Sequence, residues 1–530
     1  MVYAFTLPTT SPLSFQSFIT SSTHPSLPQA ASTTRHALRL ALKAHKRLPR
    51  GARQDAHLLT VLSALNDYIP SLFTISHVLS SRALANDPPA SSSNVFAEKL
   101  PSGEAMEITL RAEIESAWKP TLSAGNALSI GSTSSGKKPL RARGGRIAGR
   151  GIDFEVAFTL TTLGYVLSRL ARMGIVESLY ASTTPTAEQR AVAVQTATKY
   201  LLQASSVHDL LASSPAFAAA TASAVPDIDA STQSALAKLA LAEATLLAVL
   251  KDDAYVVACI QSRNPNDKEW MVRAPEIPKV RALVFARLCT RAAEYANQAA
   301  AGLGAVGSSG RTRVDEEVIR YAGALERVAR ARGCRFFGVD AELAGKVGEG
   351  IAWLRGARTT LALRGGAGSS SAGSDEVGEK KGGFSRLKRE WNERREEKKI
   401  GKDAGGGRSD KGPLAPGDDA GRDEEGRVID MLETKWVRMN DTINTQLIPS
   451  PASLLTNIPS GRDIHQPPAP YKPPSLEEDQ LARMRAPPDE HQQLHFGSDP
   501  DDSEEEVLPE PRGPPGSFPD RSQTASSAYY

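Results

Sequence analysis

Apolar positions recur at helical spacing along most of this chain, and one stretch is denser in them than any other. Gly151 to Arg172 reads GIDFEVAFTLTTLGYVLSRLAR. On a 3.6-residue wheel, Phe154, Val156, Phe158, Leu160, Leu163, Tyr165, Val166, Leu167 and Leu170 point in nearly every direction. A helix that is apolar all round is covered on all sides. Asp153 and Glu155 at one end and Arg169 and Arg172 at the other leave an uncharged run too short for the roughly 20 residues a bilayer requires. Acids in the first turn and cations in the last match the helix macrodipole instead. The pattern predicts a central helix, with Asp153 as its N-cap, inside an all-helical body.

The same periodicity places helices around it. Residues 32–50, STTRHALRLALKAHKRLPR, form an amphipathic helix whose other face is basic through Arg35, Arg39, Lys43, Lys46 and Arg47. That face is either simply solvated or a patch for acidic lipid or an acidic partner. A helical region at 52–83 is expected to break near Pro70, and EAMEITLRAEIESAW at 104–118 is expected to be a helix. Further helices are predicted over 185–212, 230–260 with a bend at Lys251-Asp252-Asp253, 276–302, 313–333 and 338–363, and a last one from VIDMLETKWV onward. Residues 1–31, rich in Ser, Thr and Pro with alternating apolar positions, read as an extended arm or short strands.

Two stretches interrupt this order. Residues 119–150 are a Gly, Ser, Lys and Arg connector, and 365–426 are Gly- and Ser-rich around the charged segment FSRLKREWNERREEKKI. Both read as flexible insertions in one domain spanning 1–474. Beyond it, 475–530 is Pro-rich and holds about nine more acids than bases, which predicts a disordered acidic tail. Ser503, inside DPDDSEEE, is a candidate phosphosite, with a plain solubilising tail as the alternative.

Composition narrows the chemistry. The 530 residues carry a net charge of only +3, which argues against a nucleic-acid binder, and 6% aromatics suit helix-on-helix packing. Cys259, Cys289 and Cys334 are far apart and form no CxxC or Cys/His cluster, so they read as reduced, apolar packers. The first residues lack the basic and apolar regions of a secretory signal. Gly131 to Lys138, GSTSSGKK, matches part of a phosphate loop. It lacks the hydroxyl residue after the lysine, and no strand precedes it, so a flexible basic loop is the better account. The nine histidines are scattered, and neither HExxH nor GxSxG occurs. No catalytic constellation, metal site or cofactor site is predicted.

Several stretches taken together carry a resemblance. They are MVYAFTLPTTSPLSFQSF, ALKAHKRL, LNDYIPSL, DFEVAFTLTTLGYVLSRLA, GKVGEGIAWLRGA, FSRLKREWNERREEKKI and KWVRMNDTINTQLIPSPASLLTNIPSGRDIHQP. This ordered set resembles the fungal pH-response regulators of the Bro-type domain family, relatives of the Alix-like ESCRT adaptors. The resemblance implies a mainly α, curved helical solenoid with tetratricopeptide-like helix pairs and a small N-terminal β element. It implies a non-enzymatic adaptor in ambient alkaline-pH signalling. Its partner would be the C-terminal helix of an ESCRT-III subunit, together with other pH-signalling components, and its setting the cytosol with recruitment to plasma-membrane or endosomal foci. Carried onto this sequence, the apolar patch for that helix falls on Leu246, Leu247, Leu250, Val256, Val257 and Ile260. Each of these is also a natural core position. A membrane-surface module acting through Arg39, Lys43, Lys46 and Arg47 is the alternative reading.

Overall fold

The computed structural model describes residues 2–84, 95–99, 105–123, 141–142, 145–180, 185–217, 225–261, 281–306, 314–362, 417–466 and 468–487. Met1–Arg485 form one compact unit, and Ala486–Tyr530 fall outside it. The charged 384–400 segment, the loop at 131–138 and Ser503 lie outside the described residues.

The chain begins with strand β1 (Thr9–Thr10), a short 3-10 turn and strand β2 (Ile19–Thr20), as an extended arm should. Helix α1 (Leu27–Arg47) follows, with a proline in its first turn and His45, Lys46 and Arg47 in its last. Its buried face is Leu27, Ala31, Leu38 and Leu42. Arg35 belongs to that buried face and not to the basic one: it is 1% exposed and ion-paired inside the body. Helices α2 (Ala52–Ala56) and α3 (Leu58–Leu84) come next. Pro70 sits inside α3, which runs on through it without a break.

The largest departure from the expected helices is at 104–118. These residues form strands β4 (Ala105–Leu110) and β5 (Glu115–Lys119). Their buried positions alternate, with Met106 and Ile108 on one strand and Ser116 and Trp118 on the other. That is the period of a half-buried strand, not of a helix. The neighbouring connector is also partly sheet. Strand β6 (Arg141–Ala142) and strand β7 (Arg146–Arg150) join β1 and β5 in the order β1-β5-β7-β6. Strand β3 (Val95–Lys99) lies beside β4 in a second sheet of order β2-β4-β3.

Helix α4 (Ile152–Leu179) is the predicted centre, and from Phe154 to Ser168 every residue is buried. Its N-cap is Gly151, not Asp153. Gly151 sits at φ 85°, a backbone conformation that glycine adopts without steric cost, so the chain turns sharply out of β7 into the helix. Asp153 lies in the first turn, and burial raises its carboxyl above the ordinary range.

From α4 the helices stack one on the next. They are α5 (Ala187–Ser213), α6 (Ala230–Leu250), the short α7 (Ala254–Gln261), α8 (Ala282–Ala305), α9 (Glu316–Leu343), α10 (Val347–Thr360) and α11 (Arg422–Met439). The principal contacts run α1 on α3, α3 on α4, α4 on α5, α5 on α6, α6 on α8, α8 on α9 and α9 on α10. Such nearest-neighbour stacking is the organisation of a helical solenoid. The bend expected at Lys251-Asp252-Asp253 is the break between α6 and α7. Helix α9 extends to Leu343, so the separate helix expected from 338 begins only at Val347. After α11 the chain passes through a π turn and crosses the body as a strap. This strap contains α12 (Pro451–Thr456) and α13 (Glu478–Met484), and α13 buries Leu481.

Ala52–Leu79 and Ala230–Leu250 are long and apolar enough to cross a membrane by length and composition. In α6, 78% of that apolar window is buried inside the body, the position of a core helix.

Candidate functional site

Two buried charge networks fix the helices that could carry a partner. In the first, Glu155 of α4 accepts from Arg35 Nε at 2.8 Å and Nη2 at 3.2 Å, from Trp118 Nε1 at 2.7 Å and from the Tyr68 hydroxyl at 3.1 Å. Arg35 also donates to Thr10 Oγ1 and to the Ser11 carbonyl. The Glu155–Arg35 pair thus joins α1, α3, α4, β1 and β5. Burial by itself would raise the Glu155 carboxyl, but the Arg35 guanidinium and the bonds from Arg35 and Trp118 hold it below the ordinary range.

The second network explains the acidic interruption between α6 and α7. Asp253 is fully buried, accepts from Val256 N at the start of α7, and pairs with Arg335 Nη2 of α9 at 2.5 Å. Arg335 and Arg332 also meet Glu425 of α11 at 2.5 and 2.9 Å. Burial works against the Glu425 carboxylate, yet the two guanidiniums beside it keep its proton affinity below normal. Asp253 is therefore a structural anchor, and it sets the angle at which α7 leaves α6.

The apolar positions expected to hold a partner helix lie around that anchor, and the structure places all six in the interior. Leu246, Leu247 and Val256 are 0% exposed, Leu250 is 1%, and Val257 and Ile260 are 5%. Their burial is what the core alternative expects of those positions. The outward stripe of α6 consists instead of exposed Ser234 and half-buried Lys238, Leu241 and Ala248. The strap lies close to this stripe. The Gly461 amide donates to Glu294, and Arg462 N donates to the Arg287 carbonyl at 3.1 Å. Asp463 binds Arg291 at 2.7 Å and the Tyr295 hydroxyl at 2.6 Å. The Arg291 and Tyr295 donors, with Lys238 nearby, hold the Asp463 carboxyl below the ordinary range, and His465 bonds to the backbone at Ala244. Nothing in local periodicity marks 458–466, an extended segment, as a cover for α6 and α8.

The basic candidates of α1 are on the surface. Arg39 and Lys43 are half-buried, and Lys46 and Arg47 are exposed. Among the described residues no three His, Cys, Asp or Glu side chains gather as a metal site. None of the three cysteines is in a disulfide, and burial pushes the Cys289 thiol up to about 12. A shallow depression is lined by Glu326, Arg327, Arg330, Thr360, Leu455 and Ile458, and its acid is ion-paired with Arg330 at 2.8 Å.

These features define a stacked helical array braced by buried ion pairs. No family model matches the chain. It is 58% identical over 534 residues to the pH-response regulator protein palC of Emericella nidulans, covering 100% of both chains. The chain belongs to the family of that regulator. Among solved structures it is similar to ALIX in complex with the SIVmac239 PYKEVTEDL late domain, at 14% identity and a TM-score of 0.47. That match covers 93% of this chain and about half, 52%, of the ALIX chain. The Bro1 domain described as a basis for endosomal targeting matches at 13% identity and a TM-score of 0.44, over 91% of this chain and 95% of that one.

Proposed function

We propose that this chain is a non-enzymatic adaptor of ambient alkaline-pH signalling. It holds the C-terminal amphipathic helix of an ESCRT-III subunit and so assembles the complex that leads to proteolytic activation of a transcription factor. It acts in the cytosol, at plasma-membrane or endosomal foci. The observation that carries this reading is the end-to-end 58% identity with a pH-response regulator. A stacked helical array suits the task because an amphipathic helix can lie along the face between two of its members.

With Leu246, Leu247, Leu250, Val256, Val257 and Ile260 in the core, the docking face is formed by the outward stripe of α6 around Leu241. The test is titration of the purified chain with an ESCRT-III C-terminal peptide. Leu241→Asp is expected to weaken binding at least about 30-fold, as loss of an apolar hot spot does, while circular dichroism stays unchanged. Leu247→Asp, a core substitution, is expected to lower the helical signal instead. Wild-type affinity in a folded Leu241→Asp protein, or no binding by the wild type, overturns the proposal. A second contact, with acidic lipid through Arg39, Lys43, Lys46 and Arg47, is favoured by the surface position of that face of α1, where Lys46 and Arg47 are exposed and Arg39 and Lys43 half-buried.

A further inference from the structure

The basic face of α1 does not stand alone. Residues from two strands far along the sequence come to it. Trp118 of β5 pairs with Ile147 of β7, so the next rung brings Lys119 opposite Arg146. Lys119 and Arg146 lie within electrostatic reach of Lys46, and Arg146 within that of Lys43. Arg39 and Arg47 flank Lys43 on the helix. Three separate elements thus deliver six cations to one place.

Nothing within the described body neutralises them. No carboxylate is ion-paired with Arg39, Lys43, Lys46, Arg47, Lys119 or Arg146 among the described residues. This contrasts with Arg35, Arg169 and Arg172, each of which has an acid partner. The Nε donors of Arg39 and Arg146 are shielded from solvent and have no acceptor. A buried donor without an acceptor costs about 1–3 kcal/mol, and like charges facing one another across strands are also destabilising. A fold that gathers such groups and leaves them uncompensated has the form of an anion site waiting for its ligand.

The surroundings say what kind of anion. Leu40 is 51% exposed, at one edge of the basic helix face. At 100° per residue, Leu40, Arg47, Lys43, Arg39 and Lys46 span an arc of about 120°. An exposed leucine bordering a row of cations suits a helix that lies on a bilayer, its apolar residue at the acyl boundary and its cations at the phosphates. A free phosphate would have no use for the leucine.

We propose that α1, Lys119 and Arg146 form a composite site for the phosphate-bearing headgroups of an acidic membrane surface. The site rests on the lipid contact read for α1 and is separate from the peptide face around Leu241. The two strand residues make it a site of the folded protein, which a peptide copy of α1 would lack. Each cation near an anionic surface contributes roughly fivefold in affinity, so removing two costs about 25-fold.

The experiment is co-sedimentation of the full chain with phosphatidylcholine vesicles containing either no acidic lipid or about one-fifth phosphatidylinositol phosphate. Binding is expected only to the acidic vesicles and to fall as salt is raised. K119Q/R146Q is expected to lose about 25-fold with an unchanged or slightly raised melting temperature, since it relieves like-charge contact. Leu40→Ser is expected to weaken vesicle binding while leaving binding of free inositol hexakisphosphate unchanged. Leu241→Asp should pellet as wild type, so failure of the peptide proposal is visible separately. Three results overturn the inference: wild-type protein that ignores acidic vesicles, K119Q/R146Q that binds them normally, or binding of the free phosphate compound without binding of vesicles.

Discussion

The most demanding prediction concerns Glu155, the acid of the DFE sequence at the start of the central helix. It is 0% exposed and receives hydrogen bonds from Arg35, Trp118 and Tyr68. Glu155→Gln keeps the shape and an acceptor for Trp118, but it leaves the 1%-exposed Arg35 guanidinium without a counter-charge. Removing one member of a buried pair costs about 3–5 kcal/mol. Unfolding entropy of about 2.1 cal/mol/K per residue, taken over roughly 350 ordered residues, is about 0.7 kcal/mol/K, so the melting temperature should fall by about 4–7 °C. The partner substitution separates charge from packing. Arg35→Met alone strands a carboxylate, whereas Arg35→Met with Glu155→Gln strands nothing and should recover part of the loss. The pH dependence has a definite sign. Because the folded carboxyl sits below its ordinary range, Glu155 stabilises the fold fully above that range, and the contribution drains away as pH falls through the folded value. Glu155→Gln should therefore lose part of the acid limb of the stability profile. Differential scanning calorimetry from pH 3 to 8 measures both effects. A Glu155→Gln protein that melts within a degree of wild type, or a double variant no better than Arg35→Met, would refute the claim that this pair locks five elements together.

Two further substitutions test the ends of the chain. Burial raises Glu243 to about 7, although it accepts from Tyr3 N at 2.8 Å and the Tyr321 hydroxyl at 2.9 Å. A carboxyl whose folded value is raised loses stabilisation as pH climbs from its ordinary range toward 7, by about 3 kcal/mol. The stability difference between wild type and Glu243→Gln, followed by urea titration, should shrink or reverse across that window, and a difference independent of pH would contradict this. Gly461 lies so close to Arg291 that a Cβ would stand 2.6 Å from its Cα. Gly461→Ala should lift the strap, giving faster proteolysis within 456–466 and tighter binding of the ESCRT-III peptide at unchanged helicity. Unaltered cleavage would mean that the strap absorbs the methyl group.

What could be read from the sequence follows physical range. The burial of α4 was legible because every direction on its wheel is apolar, so no knowledge of neighbours was needed. The α6–α7 bend was legible at Asp252-Asp253 for a similar reason: two adjacent acids stop an apolar helix wherever it packs. Residues 104–118 misled because Glu, Ala, Met and Leu favour helices, while the alternation of Met106, Ile108, Ser116 and Trp118 only pays off beside β1, β3 and β7. Arg35 looked like one more cation on a basic face until Glu155, 120 residues later, took it inside. The six apolar positions of α6 and α7 pose the same problem from the other side. A leucine reads identically as core or as anchor, and only the placement of α5, α8 and α11 around it decides.

The cations show how these long-range effects divide the molecule. Arg35, Arg332 and Arg335 are drawn into the body, where Glu155, Glu425 and Asp253 meet them with matched bonds. Arg39, Lys43, Lys46 and Arg47 share a helix with Arg35, yet folding gives them Lys119 and Arg146 as neighbours where an acid would have stabilised them. A protein under selection for stability alone would place a glutamate on β5 or β7 within reach of Lys46, at no steric cost on an exposed strand end. That the same fold gives its interior arginines acid partners and leaves this surface cluster without one among the described residues argues that the neutralising charge comes from outside the described body.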